Sequence, residues 1–148
     1  MIFLDASVLL AAEDADDREH QAALALLRSG DLATLELALY ETTNVAIVRW
    51  EDPDAADRLA RRIWAIAEFG TLVRVDRQLG TDVAQLATEH GLSAYDAGYL
   101  AAARRLGVTL ASCDERDLVG PGLAELPSTL ICHPARRLLR RRSRVGRG

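Results

Sequence analysis

Short apolar runs alternate along this chain with stretches in which apolar residues recur every three or four positions. Met1 to Leu4 is apolar and stops at Asp5, the pattern of a buried strand. Ser7 to Ala12 continues apolar and predicts a short helix. Asp16 or Asp17 can cap a second helix that runs to Ser29 and stops at Gly30. Leu32 to Leu35 has the length of a strand, and Leu37, Tyr40, Val45 and Val48 carry a helical spacing towards Trp50. Pro53 opens a helix with Ala56, Leu59, Ala60, Ile63 and Ala67 on its apolar face and Gly70 at its end. Leu72 to Val75 predicts a strand, and a helix presenting Leu79, Val83, Leu86, Ala87 and His90 follows, closed by Gly91. Ser93 starts a helix carrying Tyr99, Ala102, Ala103 and Leu106 and ended by Gly107. Val108 to Ala111 reads as a strand, and Thr129 to Cys132 as the last one.

Strands alternating with amphipathic helices predict an α/β fold, a central mainly parallel sheet of four or five short strands flanked by helices. At 148 residues there is room for one such domain, taken here as residues 1–133, with an arginine-rich tail over 134–148. No internal repeat is visible. Leu32 to Val48 is broken by Glu36 and Glu41, so no stretch can span a bilayer. Neither does MIFLDAS have the basic leader of a signal peptide. With only Cys113 and Cys132, a disulfide framework is not expected, and the cytoplasm is the expected location. Trp64 is expected in the core.

Charge changes this picture in two ways. All 18 basic residues are arginine, which excludes lysine-dependent phosphate loops, Schiff-base enzymes, phospho-receiver domains and haloacid-dehalogenase-like phosphatases. Residues 1–135 hold all 22 acids but only 11 of the arginines; residues 136–148 hold the other seven and no acid. An acidic body therefore carries a basic tail.

Four acids stand out by position. Asp5 and Asp114 lie just beyond the ends of predicted strands, where open α/β sheets bind ligands. Glu41 and Asp96 interrupt otherwise apolar helical segments, and none of Asp5, Glu41 and Asp96 has an arginine close in sequence. A divalent cation would neutralise such carboxylates together, and oxygen-only ligands favour Mg²⁺ or Mn²⁺. Each acid also has a plainer use. Asp5 can cap a helix, Glu41 can be a surface residue, Ser93-x-x-Asp96 is a capping box, and Asp114 and Asp117 can serve a turn. Cys113 suits a small core position better than a nucleophile.

The set Asp5-Ala-Ser7, Glu41-x-x-Asn44, Tyr95-Asp96-Ala97 with Tyr99-Leu100-Ala101, and Ser112-x-Asp114 resembles the PIN-domain nucleases, and within them the VapC-type toxins of toxin–antitoxin pairs. The likeness covers residues 1 to about 133. It implies that Asp5, Glu41, Asp96 and Asp114 form the family's acidic quartet that holds Mg²⁺ or Mn²⁺. Ser7 corresponds to the family's hydroxyl residue near the first acid, and Asn44 to a polar residue one turn beyond the glutamate. Ser112 stands where many relatives have threonine, and Asp117 matches an acid found in some members only. His20 resembles a structural histidine before the second helix.

The resemblance further implies an endoribonuclease that hydrolyses RNA phosphodiesters, a cognate antitoxin and a homodimer. Glu36–Trp50 and Pro53–Glu68 are the expected dimer faces. In this reading Asp5, Asp96 and Asp114 are the main ligands, and Glu41 binds a second ion or activates water. The competing readings are a non-catalytic PIN-like scaffold that binds RNA or protein, and a DNA-directed nuclease of the same fold. The tail beyond Pro134 extends past the family's common core and is expected to aid RNA binding.

Overall fold

In the computed structural model, which describes residues 1–132, four short strands form one sheet: β1 (Ile2–Leu4), β2 (Leu32–Leu35), β3 (Thr71–Val73) and β4 (Thr109–Ala111). All neighbours are parallel and the order is β3-β2-β1-β4. Ile2 stands opposite Leu32 on one side and Thr109 on the other, so β1 is the central rail of the sheet. β1, β2 and Leu110–Ala111 of β4 are buried, the pattern of a parallel sheet covered on both faces.

The helices are α1 (Ala6–Glu13), α2 (His20–Leu27), α3 (Leu37–Asn44), α4 (Pro53–Phe69), α5 (Arg77–His90), α6 (Ala94–Leu106) and α7 (Pro127–Cys132). α3 runs on through Val45–Arg49 as a widened turn, in which the Trp50 N–H reaches the Val45 carbonyl at 3.0 Å. A second widened turn, Glu115–Val119, follows β4. None of the described helices is long and apolar enough to cross a membrane.

From β1 the chain steps outward to β2 and β3, and α5 with α6 then carries it back to β4 on the other side of β1. The strand order thus reverses between β1 and β4. Two glycines let elements approach closely. A Cβ on Gly70 would stand 2.2 Å from the Leu32 carbonyl oxygen, so no other residue fits where α4 ends against β2. Gly98 brings α6 close to β2, where a Cβ would press on the Leu35 side chain at 3.3 Å. With Ala97, Ala101, Ala102 and Ala103, it makes α6 thin enough to be buried along most of its length.

Two expectations need correction. Thr129–Cys132 lies in α7 and is not a strand. The edge of β4 is already taken by Glu125, whose N–H bonds the Leu110 carbonyl at 2.9 Å while its own carbonyl accepts from Ser112 at 3.1 Å. The segment instead begins at Pro127 and is fastened beside α2 by Ser128, whose N–H and hydroxyl bond the Glu19 carboxylate at 2.8 and 2.9 Å. Trp64 is 53% exposed, because it follows Ile63 and so faces about 100° away from the buried stripe of Leu59, Ile63 and Ile66. The arginine-rich tail from residue 134 lies outside the described residues.

Candidate functional site

Asp5 and Ser112 are the first residues beyond β1 and β4, at the crevice where the strand order reverses. Ligands of open α/β sheets bind at such crevices. Asp5 occupies the N-cap position of α1, yet its side chain caps nothing. Its Oδ2 instead accepts hydroxyl protons from Ser7 and Ser112, each at 2.6 Å. Ser7 Oγ accepts the Cys113 N–H at 2.9 Å, and Ser112 Oγ accepts the Asp114 N–H at 3.0 Å. Each hydroxyl has one proton and both protons go to Asp5, so the 3.3 Å approach of the two serine oxygens is not a hydrogen bond of its own. Asp5 thereby ties the turn after β4 to the start of α1.

The other acids converge on the same crevice from three elements. Glu41 on α3 accepts the Tyr99 hydroxyl of α6 at Oε2. Asp96, in the first turn of α6, donates its N–H to Ser93 Oγ at 3.1 Å and accepts the Ser93 hydroxyl at Oδ2, at 2.6 Å. Ser93 is therefore the cap of α6 and orients the Asp96 carboxylate as well. Asp114 Oδ1 accepts the Asp117 N–H at 2.9 Å and caps the widened turn. Arg116 grips Asp117 with two bonds, Nε to Oδ1 at 2.9 Å and Nη2 to Oδ2 at 2.7 Å. One carboxylate oxygen each from Asp96, Asp114 and Asp117 lie within 4.8 Å of one another. Asn44 is exposed at the end of α3 and bonds none of these acids. His20 bonds the Ala11 carbonyl at 2.9 Å, a tie between α2 and α1 outside the crevice.

Electrostatically the crevice is under-compensated. Asp5 is 6% exposed, and burial pushes its pKa up; the Ser112 and Ser7 bonds pull it back and the Asp96 charge raises it again. Glu41 is also raised, chiefly by burial, against the lowering effect of Tyr99 and with further repulsion from Asp5 and Asp96. No arginine of the described residues forms an ion pair with Asp5, Glu41, Asp96 or Asp114. Tyr99 is driven far above its ordinary pKa by burial and by Glu41, so it stays protonated as the donor to that carboxylate. Burial pushes the Cys113 thiol up to about 12, which removes it as a nucleophile.

By sequence Tyr99 lies on an apolar helix face and in the Tyr99-Leu100-Ala101 motif, with no role in the site assigned to it. The available signal was a phenol one turn after Asp96 on a face otherwise built from alanine and glycine.

This fold, with acids gathered at its switch point, is that of the PIN domain. A family model described as PIN domain matches residues 2–119, and the chain belongs to that family. It is similar to Ribonuclease VapC3 of Pyrobaculum aerophilum, with 30% identity over 124 residues covering 78% of this chain and 90% of the relative. Among solved structures it is similar to Mycobacterium tuberculosis VapC20, a sarcin-ricin loop cleaving toxin (TM-score 0.72, 24% identity, 85% of this chain and 98% of that one). It is also similar to a toxin–antitoxin complex from Klebsiella pneumoniae (TM-score 0.66, 16% identity, 86% of this chain and 98% of that one).

Proposed function

We propose that this protein is a divalent-metal-dependent endoribonuclease and the toxin of a toxin–antitoxin pair, acting in the cytoplasm. One observation carries the reading. A buried Asp5 faces Asp96 and Glu41 with no cationic side chain of the described residues beside it. Burying carboxylates together without compensation is costly, and a hard dication is the counter-charge that an oxygen-only donor set fits. Asp5, Asp96 and Asp114 would hold Mg²⁺ or Mn²⁺, with Asp117 as an additional oxygen donor. When bound, such an ion lowers the pKa of a water and offsets charge on the phosphoryl oxygens.

The chain's own residues do the rest. Ser7 and Ser112 fix Asp5 by their paired hydroxyls, and Ser93 fixes Asp96. Tyr99 anchors Glu41 through Oε2, leaving the other oxygen to orient the attacking water and take its proton. Glu41 suits that role because its raised pKa makes it a better base than a solvated carboxylate. Ribonuclease VapC3 is the named relative that supports RNA as substrate. The Klebsiella toxin–antitoxin complex supports a cognate antitoxin. An acidic crevice accepts a basic side chain readily, so an antitoxin arginine or lysine there would block it. Tyr40, Ile47 and Val48 are exposed along α3 and its widened turn, and a second copy of the chain would cover them in a homodimer.

The test is cleavage of RNA and of DNA by the purified chain, with Mg²⁺, Mn²⁺ or excess EDTA. Cleavage of RNA that stops with EDTA is the expected result. Undiminished cleavage in EDTA removes the metal mechanism. DNA cleavage alone makes this a DNA-directed nuclease, and binding without any cleavage makes it a scaffold.

A further inference from the structure

The two widened turns of the chain close differently. In the first, Trp50 donates its N–H to the Val45 carbonyl at 3.0 Å and carries a full side chain there, with φ −93° and ψ −16°. In the second, Val119 donates to the Asp114 carbonyl at 2.9 Å and Gly120 to the Glu115 carbonyl at 2.8 Å. Gly120 has φ −57° and ψ −45°, values open to any residue. Yet a Cβ on it would stand 2.7 Å from the Glu115 carbonyl oxygen. Real Cβ atoms essentially never come within 3.0 Å of such a neighbour, and a backbone oxygen cannot swing aside. Glycine is needed at this position for space.

The turn is tight because the chain must return to the strand it has just left. Asp114 is the third residue after β4, and Glu125 is already back on the edge of that strand, its N–H on the Leu110 carbonyl at 2.9 Å. Between them Leu118 is fully buried, and its carbonyl accepts the N–H groups of Leu123 and Ala124 at 2.9 and 3.0 Å. The return leg is therefore held by the core and by the sheet. Room for a Cβ at Gly120 has to come from the other leg, which carries Asp114 and Asp117. Those two acids are joined by the bond from the Asp117 N–H to Asp114 Oδ1 at 2.9 Å, and their carboxylates belong with Asp96 to the cluster spanning 4.8 Å.

We propose that Gly120 is a positioning residue of the cation site: its missing Cβ lets the second widened turn close on the Glu115 carbonyl, and the closed turn sets the Asp114 and Asp117 carboxylates at their spacing. The inference rests on the metal-dependent reading of the same crevice. Like charges held this close repel each other. The backbone bonds of the closed turn oppose that separation before any cation arrives, so binding requires less rearrangement of the donors. An opened turn loses this advantage while the rest of the fold stays in place.

The test reads cation binding by the full chain directly, apart from cleavage. Free Mn²⁺ is followed by electron paramagnetic resonance as it is titrated into the native chain, Gly120→Ala and Gly122→Ala. Gly120→Ala should weaken Mn²⁺ binding by about ten- to a hundredfold and raise the Mn²⁺ concentration for half-maximal RNA cleavage by the same factor. Gly122, in the same loop, has φ +78° and nothing within 4 Å of its Cβ position. Gly122→Ala therefore strains the backbone and lowers Tm, but should leave Mn²⁺ affinity unchanged. A purely structural role for Gly120 predicts the same affinity for both variants at the same loss of Tm. Should Gly120→Ala fail to fold, the native chain decides by amide hydrogen exchange, followed by NMR with and without Mg²⁺. Mg²⁺ should slow exchange at Val119 and Gly120 by roughly tenfold more than at Trp50, which closes the other widened turn. Unchanged affinity in Gly120→Ala, an equal loss in Gly122→Ala, or equal slowing at both turns overturns the role of Gly120 and leaves the metal-dependent reading standing. A native chain that binds neither Mn²⁺ nor Mg²⁺ overturns both.

Discussion

Asp5 and Asp76 occupy the same kind of place and behave oppositely. Each lies just past the end of a strand and stands at the N-cap of the helix that follows. Asp76 caps α5 by accepting the Leu79 N–H at 2.8 Å. It is also forked by Arg105, with bonds of 2.7 and 2.9 Å, and its pKa is held far below the usual carboxylate range by that guanidinium. Asp5 makes no side-chain cap bond and meets no arginine among the described residues, and burial raises its pKa against the lowering effect of the two serine hydroxyls and the Ala6 N–H. One carboxylate is fully compensated on the surface and fastens α5 to α6. The other is buried with two serine hydroxyls as its only side-chain partners among the described residues, and with like charges nearby. Position in the secondary structure is common to both; compensation of charge is what separates a structural aspartate from a candidate ligand.

The widest separation should appear in activity. Asp96→Asn keeps the Ser93 bond but removes a carboxylate from the crevice, and RNA cleavage should fall by about a hundredfold or more. Asp76→Asn should leave cleavage within error. Initial rates on one labelled RNA, beside a far-ultraviolet spectrum of each variant, compare the two. Equal losses would place both aspartates in the same structural class.

Cation binding should separate them next. At about a hundred times its Kd, a ligand bound only by the folded state adds near 2.7 kcal/mol, or roughly 5–10 °C in Tm for a domain of this length. Mn²⁺ should produce such a shift in the native chain and in Asp76→Asn, and little or none in Asp5→Asn. A shift that survives Asp5→Asn means that the ion sits elsewhere.

The smallest effect is a difference in sign with pH, measured on the metal-free protein. A carboxyl whose pKa is raised on folding contributes stability at low pH that is lost as pH rises from the unfolded value through the folded one. Glu41 is such a group, with an ordinary value of 4.5 and a folded value above it. The stability of the native chain minus that of Glu41→Gln should therefore fall as pH climbs from 4.5. Asp76 has its pKa depressed, so the difference against Asp76→Asn should be present above 3.8 and fade as pH drops below it. Melting curves between pH 3 and 8 read both slopes. Slopes of the same sign would contradict the assigned causes.

Much of the fold was legible in the order of residues. Strands at Ile2–Leu4, Leu32–Leu35 and Thr109–Ala111, and helices closed by Gly70, Gly91 and Gly107, all follow from local pattern and chain-stopping glycines. Of the two errors, Trp64 is a matter of phase on α4, and the other fell where a distant partner outweighed local preference. Residues 129–132 have the apolar, β-branched composition of a strand, but Glu125 had already taken the edge of β4.

The same division runs through the site. Composition and order alone single out Asp5, Glu41, Asp96 and Asp114 and exclude every lysine-based chemistry, because residue types and their spacing along strand ends and helices are properties of the chain itself. They could not decide between cap and ligand, since both uses require the same residue at the same local position. The tertiary structure shows which contacts each acid makes: Asp114 caps the turn that follows it, while Asp5 makes no side-chain cap bond. Ser7 and Ser112, 105 residues apart, meet on one carboxylate oxygen. Tyr99 reaches across from α6 to Glu41, and Arg105 reaches Asp76 but not Asp5. Hydrogen bonds and Coulomb forces act across a few ångströms of space whatever the distance along the chain, so which charges are compensated is settled when the strands and helices come together.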